Sequence, residues 1–122
     1  MPPAPLISVI DDDGSLRQAL VRLIRSLGYE ASGFGSAEEF ADSCAISNSA
    51  CIITDIHMPG MSGIELKQLL TQRRSLVPVI MITARLDSGL EAKALAAGAA
   101  CFLKKPFAAT VLIDCLERAL KA

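Results

Sequence analysis

Cys51-Ile52-Ile53-Thr54-Asp55 is an apolar run that stops on an acid, and Ile56-His57-Met58-Pro59-Gly60-Met61-Ser62-Gly63-Ile64-Glu65-Leu66 follows it. The run is short, β-branched and apolar at successive positions, which predicts a strand buried on both faces of a parallel sheet. Ser62 and Glu65 stand at the spacing of a capping box, and Ile64, Leu66, Leu69 and Leu70 continue at helical period. The segment therefore reads as a strand, a loop and a capped helix, with a carboxylate at the strand's carboxyl end.

The same unit recurs in both directions. Towards the N-terminus, Leu6-Ile7-Ser8-Val9-Ile10 ends in Asp11-Asp12-Asp13. Leu16, Leu20, Leu23, Ile24 and Leu27 then recur at helical spacing, with Ser15 and Gln18 predicted as the cap and Gly28 as the stop. Tyr29 to Phe34 alternates weakly and suits a sheet edge. Ser36 and Glu39 open a short helix through Phe40, and Ala45 to Ala50 reads as a small polar loop. Towards the C-terminus, Val79 to Ile82 is a fourth strand. Asp87 is the expected N-cap of a helix reaching Ala97, with Gly98 at C′. Ala100 to Leu103 is a fifth strand. Ala109 to Ala119 is the last helix, with Leu112, Ile113, Leu116 and Leu120 as its buried stripe. Strands alternating with helices predict right-handed crossovers and a parallel sheet covered on both faces, a doubly wound α/β fold.

Composition narrows the class. The 122 residues are 52% hydrophobic and 20% charged, enough for a core and too apolar for a disordered chain. Twelve basic and 13 acidic residues give a net charge of −1, without the basic stripe of a nucleic-acid footprint. Cys44, Cys51, Cys101 and Cys115 form no C-x-x-C pair, and the only histidine, His57, has no metal-ligand spacing to them. Reduced thiols serving as small hydrophobes are expected instead of a zinc site. Met1-Pro2-Pro3-Ala4-Pro5 has no signal-peptide features, and no apolar run approaches the ~20 residues of a membrane span. Residues 1–5 are expected to be a disordered lead-in, residues 6–122 one domain, and the location cytoplasmic.

Ligands in such folds bind outside the carboxyl ends of the strands. Asp11 and Asp12 follow strand one, Asp55 ends strand three, Thr83 ends strand four, and Lys104-Lys105 end strand five. All should converge on one edge. Clustered carboxylates repel, and a divalent cation held by oxygens alone, Mg²⁺ or Mn²⁺, would relieve the conflict. A lysine offers a charge for a phosphate oxygen and a threonine offers a hydroxyl. Together these are the parts for phosphoryl transfer to an aspartate. Each part alone is ordinary; an Asp pair at a strand end is most often a helix cap.

Asp11-Asp12, the stretch Asp55 to Gly63, Thr83-Ala84 and Lys105-Pro106-Phe107 resemble the response-regulator receiver domains of two-component signalling. Ser36-Ala37-Glu38-Glu39-Phe40 and Lys105-Pro106-Phe107 are similar to the FixJ type, whose receivers usually precede a DNA-binding output domain. The resemblance implies a flavodoxin-like, CheY-like (βα)5 sandwich with strand order 2-1-3-4-5. It implies Asp55 as phosphoacceptor from a sensor histidine kinase. It also implies Mg²⁺ bound by Asp12, Asp55, the His57 backbone carbonyl and, through water, Asp11. Lys105 would contact the phosphoryl group, after a cis peptide to Pro106. Thr83 would close onto it, with Phe102 swinging inward. His57 and Arg85 would tune dephosphorylation. The face made by the Asp87–Ala97 helix, strand five and the last helix would report the change through a partner or a phosphorylation-dependent homodimer. Its candidate surface positions are Leu86, Leu90, Lys93 and Lys104. Such a domain is a signalling element with at most self-catalysed phosphotransfer, touching neither nucleic acid nor membrane.

Asp11-Asp12-Asp13-Gly14-Ser15 also resembles the first motif of haloacid-dehalogenase-type phosphatases, with Asp11 as nucleophile and Asp13 as general acid. That reading lacks an acidic pair after Lys105 and leaves Asp55 to Gly63 without a role.

Overall fold

The computed structural model describes residues 4–85 and 87–121. Five parallel strands, β1 (Leu6–Ile10), β2 (Glu30–Phe34), β3 (Ser49–Asp55), β4 (Val79–Thr83) and β5 (Cys101–Lys104), lie in the order β2-β1-β3-β4-β5. Helices α1 (Gly14–Ser26), α2 (Ala37–Ala41), α3 (Ala45–Asn48), α4 (Gly63–Gln72), α5 (Leu90–Ala96) and α6 (Ala109–Lys121) connect or follow them. The architecture is the doubly wound three-layer sandwich read from the alternation.

Period-two alternation along the strands builds two cores. Ile7, Val9, Ile53, Ile80 and Ile82 face α1 and α6, where Leu20, Ile24, Leu112 and Leu116 meet them. Ile10, Ile52, Val79 and Met81 face the other way, onto Phe40, Leu66, Leu70, Leu90 and Ala94 of α2, α4 and α5. Burial of β4 throughout and of β3 from Cys51 to Asp55 leaves no solvent face there and explains their unbroken apolar runs. β2 is the edge strand its weak alternation suggested, with Ala31 in one core and Phe34 packed on the other.

Four local readings are corrected. The segment from Ala45 is not a loop. Residues 45–48 make one helical turn, and Ser49 already belongs to β3 because its hydroxyl binds the Ala45 carbonyl and contacts buried Ser8 Oγ at 2.7 Å. Helix α1 is capped by Asp13, which accepts from the N–H groups of Ser15 and Leu16, not by Ser15. A carboxylate two residues earlier reaches two of the orphan donors and complements the helix dipole. Helix α5 begins after Gly89, not at Asp87, so Leu90 and Ala94 face the sheet. Leu90 is consequently a core residue, 7% exposed, and not a surface position. In α6 the buried stripe is Leu112, Cys115, Leu116 and Ala119.

The Ser62–Glu65 box is complete in both directions. Cys51, Cys101 and Cys115 are free and packed among apolar residues; burial pushes the Cys51 thiol up to about 12 and that of Cys101 up to about 11. No helix among the described residues is long and apolar enough to cross a membrane. Of the expected lead-in, residues 1–3 lie outside the described residues, and the Pro5 carbonyl accepts from the Glu30 N–H at the foot of β2.

Candidate functional site: an acidic pocket at the strand ends

The carboxyl ends of β1, β3 and β5 bring Asp11, Asp55 and Lys105 together. Lys105 Nζ donates to Asp11 Oδ2 at 3.1 Å and to Asp55 Oδ2 at 3.3 Å, so a single ammonium bridges residues 94 and 50 positions away in the chain. The Lys105–Pro106 peptide is cis, as expected. Asp11 is fully buried and its other oxygen accepts the Asp13 N–H at 2.9 Å. Asp12 is exposed at the rim. One carboxylate oxygen from each of Asp11, Asp12 and Asp55 falls within a 4.8 Å cluster that could hold a metal ion.

The electrostatics follow from this packing. Burial pushes the Asp55 carboxyl above its ordinary value, and the neighbouring Asp11 charge adds to the rise; Lys105 only partly offsets them. Burial by itself would lower the Lys105 ammonium, but its bonds and attraction to Asp11 and then Asp55 outweigh it, and its pKa is raised. Asp55 Oδ1 is buried without a hydrogen-bond partner. An unpaired buried carboxylate oxygen beside two further carboxylates fits a hard, oxygen-liganded cation.

The remaining predicted residues surround this pocket in different states. Thr83 is fully buried at the end of β4. Its hydroxyl donates to the Arg85 carbonyl at 2.8 Å and accepts the Arg85 N–H at 3.1 Å. Phe102 is half-buried against the core under α5. His57 and Arg85 converge on Asp87 instead of on Asp55. Lys93 and Lys104 are exposed, and Leu86 lies outside the described residues. Asp13, the general acid of the phosphatase reading, is occupied as the cap of α1.

Several supporting residues carry no motif. Arg17 donates to the Asp11 carbonyl at 2.6 Å and lays its stem across Gly33, where a Cβ would come within 3.1 Å of it. It thereby braces the acidic loop against the edge strand. Glu38 of α2 accepts the Met61 N–H at 3.0 Å, holding the loop after Asp55 from the side. Gly60 there has φ 80° and lies so close to the Glu38 carboxylate that a side chain would clash. Single side-chain-to-backbone bonds across 6 and 23 residues leave no periodicity to read.

A doubly wound sheet with a carboxylate trio and a bridging lysine at its strand ends defines a class of phosphoryl-handling α/β domains. The chain matches the response regulator receiver domain family over residues 7–117 and belongs to it. It is 38% identical over 120 residues to the transcriptional regulatory protein FixJ of Azorhizobium caulinodans, covering 98% of this chain and 57% of that one. To nodulation protein W of Bradyrhizobium diazoefficiens it is 35% identical over 114 residues, 93% of this chain and 50% of that one. The crystal structure of FixJ-N superposes with a TM-score of 0.87 at 34% identity, covering 99% of this chain and 96% of that one. The response regulator StyR gives 0.89 at 40% identity, over 97% and 60%. The chain spans about half the length of the curated relatives it matches. Membership makes it a signalling domain of phosphorylation-dependent two-component systems.

Proposed function

We propose that Asp55 is the phosphoacceptor and that a sensor histidine kinase is the donor. The observation that carries this reading is the asymmetry of the Asp55 carboxylate: Oδ2 is held by Lys105, whereas Oδ1 is buried and unpaired. An oxygen held in place yet free of hydrogen bonds is a competent nucleophile. It attacks phosphorus, the N–P bond of a phosphohistidine breaks, and an acyl phosphate forms as the imidazole leaves with a proton.

Asp11, Asp12, Asp55 and the His57 carbonyl would hold Mg²⁺ or Mn²⁺, which when bound neutralises charge on the transferring group. Lys105 moves from the two carboxylates to a phosphoryl oxygen. Thr83 gives up Arg85 to bond another. The new charge, about −1.5 to −2 on the phosphoresidue, then redraws the face of α5, β5 and α6, with Phe102 following Thr83. Lys93 and Lys104 line that face, whose readout is a partner, a homodimer or a transcriptional output domain in the cytoplasm. Residues 6–122 form the phosphorylated unit, with no activity beyond phosphotransfer and its own dephosphorylation.

The test is incubation with acetyl phosphate and Mg²⁺ followed by mapping of the modified residue. A label on Asp55 is expected; a label on Asp11, or steady turnover of a phosphomonoester, overturns the reading. The side chains of His57 and Arg85 flank the path of an attacking water and shield or polarise it. A His57→Ala, Arg85→Ala double variant is expected to change the phosphoryl lifetime severalfold. An unchanged lifetime rules that role out.

A further inference from the structure

The Asp87 carboxylate has no part in capping α5. The helix starts from Gly89, and Leu90 N–H meets the Asp87 carbonyl at 3.1 Å. The carboxylate instead lies 3.4 Å from His57 Nε2 and 3.6 Å from an Arg85 guanidinium nitrogen. His57 Nε2 is itself buried and makes no hydrogen bond. The His57 contact joins the loop after β3 to the loop after β4, and the Arg85 contact lies within the second loop. The second loop carries another restraint, because the Thr83 hydroxyl both donates to and accepts from the Arg85 backbone. The Arg85 backbone thus keeps the Thr83 hydroxyl occupied, while the Arg85 guanidinium and His57 meet the Asp87 carboxylate.

We propose that Asp87 is a positioning residue for phosphorylation: its carboxylate, tied to Arg85 and His57, holds the loop after β4 where Thr83 is engaged with Arg85, and so sets how readily the phosphorylated arrangement forms. This rests on Asp55 being the phosphoacceptor. The latch is weak by construction. The His57, Asp87 and Arg85 side chains are 30%, 53% and 68% exposed. Exposed pairs of this kind shift an equilibrium by at most about fivefold. A weak restraint suits an element that must open on phosphorylation.

Charge alone makes a competing forecast. Removing Asp87 removes a negative charge near an anion site, and removing Arg85 removes a positive one, so electrostatics would tighten anion binding in the first variant and weaken it in the second. A latch requires both to tighten it. The experiment is a fluorine NMR titration with beryllofluoride at saturating Mg²⁺, using the protein, Asp87→Ala and Arg85→Ala. Both variants are expected to bind about two- to fivefold more tightly, with the Mg²⁺ affinity and melting temperature unchanged. Opposite shifts in the two variants, or none in either, overturn the latch. Failure of the unsubstituted protein to bind beryllofluoride overturns the phosphoacceptor reading beneath it and is distinguished by needing no variant.

Discussion

Asp55→Asn raises the melting temperature of the metal-free protein at neutral pH by about 4 °C, equivalent to roughly 1 kcal/mol for a domain of this size. The reason is the pocket's packing. Asp55 is 6% exposed, its Oδ1 has no partner, and Asp11 and Asp12 lie beside it. Burial and then Asp11 push its carboxyl above the ordinary 3.8, so the folded protein binds that proton more tightly than the unfolded chain does. Stability from this group therefore falls as pH rises from 3.8 through the folded value, and the full penalty is present above it. The asparagine variant escapes the penalty. Its advantage should be largest at neutral pH and shrink as the solution is acidified towards 3.8. Thermal melts in EDTA across that range measure it. Mg²⁺ reverses the ranking, because the unsubstituted site gains more from the cation than a site with one carboxylate fewer. A variant melting below the parent in EDTA at neutral pH would mean that the Lys105 bond to Asp55 outweighs the repulsion.

The parts of this site legible in the sequence are those that strands carry. β1, β3 and β4 announce themselves as apolar runs because both faces are buried, and a parallel sheet then puts their terminal polar residues on one edge. Asp11, Asp55 and Thr83 follow from that alone, whereas Lys105 follows β5, a short and only partly buried strand. Residues placed by loops were harder to read. Asp87 sits in the sequence like an N-cap, and only the start of α5 at Leu90 releases its carboxylate to reach His57 and Arg85. The same two-residue displacement turned Leu90 from an expected surface residue into core. Arg17 and Glu38 act through backbone groups of Asp11 and Met61, contacts that depend on tertiary approach and leave no pattern in residue types. The turn at Ala45–Asn48 is too short for helical periodicity to register.

Gly63 shows how tightly the phosphoacceptor strand and the helix after it are joined. It is buried at the first position of α4, and its N–H donates to the Ile56 carbonyl at 3.1 Å. A Cβ at this position would stand 2.5 Å from the Asp55 carbonyl oxygen and 3.1 Å from Thr54 Cγ2. The first of these neighbours is backbone of a strand buried on both faces, so it cannot rotate aside as a side chain would. In Gly63→Ala the start of α4 must therefore move away from β3. That strains the Gly63–Ile56 bond and the seat of the Ser62–Glu65 box, for a destabilisation of about 2–3 kcal/mol. The displacement also reaches Asp55 directly, and misplacing a nucleophile by about 1 Å can cost on the order of 100-fold in rate. Gly14→Ala is the internal control. It too places alanine in the first turn of a helix, but its Cβ meets only the tip of Arg17 at 3.4 Å, so it should be neutral or slightly stabilising. Urea unfolding gives the stability of both variants, and the rate of labelling by acetyl phosphate gives the second effect. If Gly63→Ala matched Gly14→Ala in both measurements, the contact between α4 and Asp55 would be looser than these distances require.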